Sequence, residues 1–322
     1  MRWFTIIALA LILPLPAQAD WKAPREALDQ RTVDGDYAVF YTRQGPHTFP
    51  ANPAQASQAN AYLSRLQAQI ALADRVYRED LGLVRPLSMP RYGAGRRIDL
   101  HIYDIGRGMG SAGDELQTFD YARFGTEGPV LTIAMSHRWT PPNRTPEHEV
   151  FHAYQYAYTF FKNPWYLEGL ARSMENPFRD ARWKSEPLPA DDDALIALQR
   201  RSYDAHTFWT RLALLCDPAC SQAQRTPATV GSRAEGTVCG RAIVRPLLEA
   251  FDIEDDRAGR DRGLSHDYWP EKEQRSTDNF PYMLAGLKRV VAAHCPVDAN
   301  AELGAFHALL DRHTGGDPEA RP

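Results

Sequence analysis

Apolar positions recur along the chain with two different periods, and the period changes with position. Asp36 to Thr42 (DYAVFYT) alternates and is rich in aromatic and β-branched residues, which predicts a strand. From Pro53 to Leu81 the spacing becomes helical: Leu63, Leu66, Ile70, Ala73 and Tyr77 fall three or four apart, and Gly82 marks the stop. Arg97 to Ile105 (RIDLHIYDI) and Pro129 to Ser136 (PVLTIAMS) predict two further strands. The glycine-rich GRGMGSAG between them lacks a phosphate-cradle pattern and is expected to be a flexible loop.

Beyond Thr145 the pattern is helical: Thr145 to about Phe161, Trp165 to Glu175, Asp191 to Arg201, Tyr203 to Leu215, Gly240 to Phe251, Pro281 to His294 and Glu302 to His313. The charged stretch from Asp252 to Ser276 reads as loop. Strands early and helices late predict an α+β fold, with a boundary near residue 176 between a mixed part from residue 20 and a mostly helical part from residue 177.

The first nineteen residues predict a secretory signal peptide. Arg2 is followed by an apolar run of about 13 residues from Trp3 to Leu15 and by the small-x-small site Ala17-Gln18-Ala19. That run falls short of the roughly 20 residues a membrane span needs, so no membrane association is expected once the signal is removed. Periplasm and extracellular release both stay open. Export gives the four cysteines a meaning: Cys216, Cys220, Cys239 and Cys295 predict two disulfides in the C-terminal half, with three pairings possible. A net charge of −4 and a pI near 6.2 give no basic footprint for nucleic acid. Nothing in the sequence sets the oligomeric state.

The chemistry concentrates in TPEHEVFHAYQYAY. Thr145 reads as N-cap with Pro146 at the first helical position. His148 and His152 then project from one helical face and can bring two imidazoles to one metal, while Glu149, rotated off that line, can reach a water. A helix that merely carries two histidines would show the same local pattern, so a third ligand matters. Glu168 follows His152 by 16 residues, on a second helix that can return antiparallel. Two imidazoles and a carboxylate form a recurrent catalytic zinc set. No G-x-S-x-G is present, and no cysteine precedes residue 216.

HEVFH followed by WYLEGLA resembles the gluzincin branch of the zinc metallopeptidases, in particular bacterial secreted peptidase-MA-like proteins. The resemblance rests on Thr145 to Ala171. It implies a zincin-like fold, Zn2+ held by His148, His152 and Glu168, Glu149 as general base, and a peptide or protein substrate hydrolysed at the metal. It also implies that Val130 to Ser136 is the shelf along which a peptide lies.

Some relatives carry an acid one turn past the glutamate ligand to orient a histidine. Here that position is Arg172, which leaves Glu175 or a backbone carbonyl for the task. Met174-Glu175-Asn176 lies downstream of the motif, so the amino-terminus-binding role of a similar segment in zinc aminopeptidases is not carried over. YDAHTFWTRL resembles the helix after the zinc site and implies Tyr203 as oxyanion donor; His206, then Tyr282 and the His266-Asp267-Tyr268 cluster, are alternatives. The aromatic residues of the first helix, with His101 and His137, are expected to serve packing. The reading from another class is a catalytically inactive zinc-bound scaffold on the same fold.

Overall fold

The computed structural model describes residues 20–179, 183–217, 220, 238–240 and 242–314. The signal-peptide reading falls outside the described residues. Its strands are β1 (Gln30–Asp34), β2 (Tyr37–Tyr41), β3 (Ile98–Tyr103), β4 (Gly110–Ala112), β5 (Gln117–Tyr121) and β6 (Gly125–Ser136). Its helices are α1 (Ala23–Glu26), α2 (Ala59–Arg75), α3 (Thr145–Tyr158), α4 (Pro164–Ser173), α5 (Asp192–Gln199), α6 (His206–Cys216), α7 (Val244–Arg262), α8 (Glu271–Gln274), α9 (Phe280–His294) and α10 (Ala301–Thr314). The α+β reading holds, with a six-stranded mixed sheet ahead of a helical C-terminal part.

The sheet runs β1-β2-β3-β6-β4, with β5 also paired to β6. The central pairs β2/β3 and β3/β6 are parallel; β1, β4 and β5 are antiparallel to their neighbours. Alternation along each strand sorts residues between two faces. Tyr37, Val39, Leu100, Ile102, Ile133 and Met135 join the main core with α2 and α3. Ala38, Phe40 and Val130 face a smaller cluster with Leu28, Phe119 and Tyr121. The main core continues without a break into the C-terminal helices, through Leu212, Leu247, Leu287 and Leu310.

Several expectations need correction. The glycine-rich segment is not all loop: Gly110–Ala112 pairs with Ile133–Met135 as an edge strand. Three small residues carry no strand propensity, and only the partner β6 makes them extended. Consequently Val130 to Ser136 is interior, with β3 on one side from Leu131 and, on the other, β5 at Val130 and β4 with its flanking residues Gly113 and Met109 from Thr132 to Ser136, and it offers no free edge for a peptide. The sequence pattern does not predict β1, which is mostly exposed and polar, nor β5. The stretch from Asp252 is not loop at its start, since α7 continues to Arg262 and stops at Gly263, whose φ is 65°. Its acids turn inward to partners: Glu254 pairs with Arg289, and Asp255 accepts the Phe160 N–H at 2.6 Å.

Cys216 bonds Cys295, joining α6 to the end of α9, and Cys220 bonds Cys239. Two disulfides fit an oxidising environment outside the cytosol. Among the described residues no helix is long and apolar enough to cross a membrane.

Candidate metal centre

The buried helix α3 and the helix α4 build the centre together. α3 starts one residue earlier than expected: Arg144 is the N-cap and Thr145 the first helical residue, because the Asn143 side chain accepts both the Thr145 N–H at 2.9 Å and its hydroxyl at 2.6 Å. Pro146, in the first turn, has no N–H to leave unpaired. Tyr77 clamps this end, its hydroxyl reaching the Glu147 carbonyl at 3.0 Å and the Met174 carbonyl at 3.3 Å. The i, i+4 spacing brings the rings of His148 and His152 to 4.6 Å, nearly perpendicular.

Lys162-Asn163-Pro164 breaks the chain, and α4 returns with Glu168 facing both imidazoles. Its Oε2 lies 3.3 Å from His148 Nε2 and 3.5 Å from His152 Nε2. One ligand atom from each of the three residues falls within 4.8 Å of the others. Both Nδ1 atoms are engaged elsewhere. His148 Nδ1 donates to Glu175 Oε1 at 3.1 Å, and His152 Nδ1 to Gln155 Oε1 at 2.8 Å, while Gln155 Nε2 reaches the Tyr166 carbonyl at 3.5 Å. These bonds occupy Nδ1 of each ring and turn both Nε2 atoms towards Glu168, as outer partners of metal-binding histidines do; a cation bound there takes the place of any proton on Nε2. The set fits a divalent metal with nitrogen and oxygen preference.

Glu149 is buried on the β4 side of this point. The Ala112 N–H bonds to the carboxylate, and Oε2 has no partner. Burial raises its pKa, against the pull of the His152 and His148 imidazoles, so it is a better proton acceptor than an exposed glutamate. Burial pulls His148 down, yet its bonds to Glu168 and Glu175 raise it to about 9. Burial disfavours the Glu168 carboxylate, but the same imidazoles hold it well below the usual range.

Tyr203 starts the short turn Tyr203–Ala205 that precedes α6, and its ring stacks on His148 at 5.6 Å. Its hydroxyl bonds Glu168; burial first, then that carboxylate, raises the phenol pKa. Close packing of α4 on α6 brings it there. A β-carbon at Gly169 would stand 2.7 Å from Ala205 Cβ, and Trp209 Nε1 donates to the Trp165 carbonyl at 2.8 Å with the two indoles stacked.

The other sequence candidates lie elsewhere or act differently. His206 Nδ1 bonds the Tyr203 carbonyl at 2.9 Å. Tyr282 bonds Asp261 in a separate cleft, and His266 is exposed beside Asp256 and Asp267. His101 pairs with Tyr121 on the far face of the sheet, and His137 with the Thr48 carbonyl. Tyr154 and Tyr158 serve packing, bonded to Asp74 and to the Val84 N–H. Tyr156, stacked 5.8 Å from His152, walls one side of the centre. Gln155 and the β4 backbone went unanticipated; Gln155, three residues past His152 on the same helix flank, could have been found from spacing.

A cleft of about 660 Å3 opens onto His148 and Glu149, bordered by Gly108 to Gly110, by Thr140 to Thr145 and by Tyr203. The whole is an α+β protein with a two-histidine, one-glutamate centre beneath an edge strand. No family model, curated protein or solved structure matches the chain.

Proposed function

We propose that this chain is an exported zinc-dependent metallopeptidase of the gluzincin type, hydrolysing peptide or protein substrates. One observation carries the reading: Glu149, buried and with one oxygen unpartnered, stands beside the cluster of His148, His152 and Glu168. A buried carboxylate oxygen without a partner costs stability, and its retention next to a ligand set is what general-base catalysis requires.

Zinc held there would supply a Lewis acid that polarises a carbonyl and acidifies water. Glu149 takes the proton of the attacking water and passes it to the leaving amine. Tyr203 gives up its bond to Glu168 and donates to the oxyanion of the tetrahedral intermediate. The free side of β4 is the available strand edge against which a peptide backbone can pair, immediately above Glu149. An unpartnered Glu149 oxygen favours a working enzyme over the inactive scaffold.

The test measures metal content and peptide cleavage in the purified mature protein. We expect close to one zinc per chain in the wild type, little in Glu168→Ala, and zinc without turnover in Glu149→Gln. Full activity in Glu149→Gln would refute the mechanism.

A further inference from the structure

The cleft carries a charge asymmetry that catalysis at the metal does not require. Arg144, Arg172 and Arg179 all line it, on the His148 side, although the chain as a whole has net charge −4. Beside His152 stands Tyr156, with Lys162 over its ring and locked to Asp114 at 2.8 Å and Glu271 at 2.5 Å.

The three guanidiniums are only partly neutralised. Arg172 and Arg179 share one carboxylate, Glu175, which also accepts from His148. Arg144 pairs with Glu147 at 2.8 Å. Each guanidinium has five N–H donors, yet among the described residues Arg172 uses only Nη1, Arg179 only Nη2 and Arg144 only Nη1. Their side chains keep 41%, 33% and 25% of their exposure. Two guanidiniums on one carboxylate leave a surplus positive charge, with unused planar donors on side chains that line the cleft. Arginine donors in this state suit bidentate capture of a carboxylate.

We infer that Arg172 and Arg179, assisted by Arg144, form a subsite for a substrate carboxylate, so that the preferred substrate is an acidic peptide with its charge on the His148 side of the scissile bond. This rests on the peptidase reading for the word substrate, but not for the binding itself. The carboxylate belongs either to an aspartate or glutamate side chain or to a free C-terminus. One charge-assisted bond of this kind corresponds to about a tenfold gain in affinity or more.

The experiment is calorimetric binding to zinc-loaded Glu149→Gln protein, which reports affinity without turnover. The probes are end-blocked hexapeptides with Glu or Gln at each position in turn, and the all-alanine hexapeptide with a free or amidated C-terminus. We expect about tenfold tighter binding for Glu than for Gln at positions on one side only, or for the free over the amidated terminus. These two arms separate the two sources of the carboxylate. The gain should shrink in rising salt and vanish in Arg179→Gln, with Arg179→Lys restoring part of it. Metal content and circular dichroism of each variant exclude a disturbed His148 or a misfolded chain. A difference below threefold in every pair, or no binding of the acidic peptides at millimolar concentration, overturns the inference. If acidic peptides bind as expected but wild-type protein cleaves none, the hydrolase reading fails and the carboxylate subsite stands.

Discussion

A β-carbon placed on Gly110 would lie 2.6 Å from Oε1 of Glu149 and 2.5 Å from Cγ2 of Thr145. The edge strand therefore approaches the candidate base as closely as it does because residue 110 has no side chain. Gly110→Ala must push either β4 outward or the carboxylate aside. We expect turnover to fall tenfold or more while metal content stays unchanged, a split visible by elemental analysis alongside a peptide assay. Normal turnover would show that Glu149 has room to move.

Glu175 orients His148, and two arginines in turn hold Glu175. Outer partners of this kind are worth about 10–100-fold in metal affinity. Glu175→Gln should therefore weaken zinc binding by that factor in a chelator competition, with a smaller effect on thermal stability once metal is saturating. Unaltered zinc affinity would assign Glu175 a purely structural role.

The centre was legible in the sequence to the extent that its geometry is helical. His148 and His152 share a face by spacing alone, Glu168 needs only a return helix, and the want of an acid at position 172 already directed attention to Glu175. What spacing cannot supply is contact between distant segments. Gly110 to Ala112 becomes a strand only because β6 is there to pair with it, so the free edge lies on β4 and not on Val130 to Ser136. Arg172 and Arg179 share Glu175 across the turn that ends α4, and with Arg144 they line a cleft that no periodicity announces. The charged length of α7 failed for a related reason, because Glu254 and Asp255 are buried with partners from other elements.

Gly169 lets α4 and α6 touch. A methyl group there meets Ala205 at 2.7 Å and the Trp209 ring at 3.2 Å, neither at the end of a flexible chain. Overpacking of this kind costs about 1–3 kcal/mol. Gly169→Ala should lower the unfolding midpoint accordingly, and it should also displace Tyr203 from His148, reducing kcat more than metal affinity. An equally stable variant with wild-type kcat would mean that the α4–α6 contact adjusts without cost.

His101 supplies a pH dependence remote from the metal centre. It lies fully buried against Phe40 and Phe119, its Nε2 donating at 2.6 Å to Tyr121, whose hydroxyl donates at 2.9 Å to Asp99. Burial, with Arg25 and Arg97 adding to it, drives its pKa well below the ordinary value. The unfolded chain has an ordinary imidazole near ~6.5. Below that pH the unfolded state binds a proton that the folded state refuses, so the stabilisation is present above ~6.5 and is lost as pH falls. Between pH 7.5 and 5.5 this single group should remove about 1.4 kcal/mol. Asp99, raised chiefly by burial, pulls the other way above its unfolded value, so the wild type alone would mix the two. His101→Phe keeps the ring contacts and removes the titration. The difference in urea stability between the two pH values should therefore be smaller in the variant by about that amount. An identical pH dependence in both proteins would show that His101 takes up its proton within the fold.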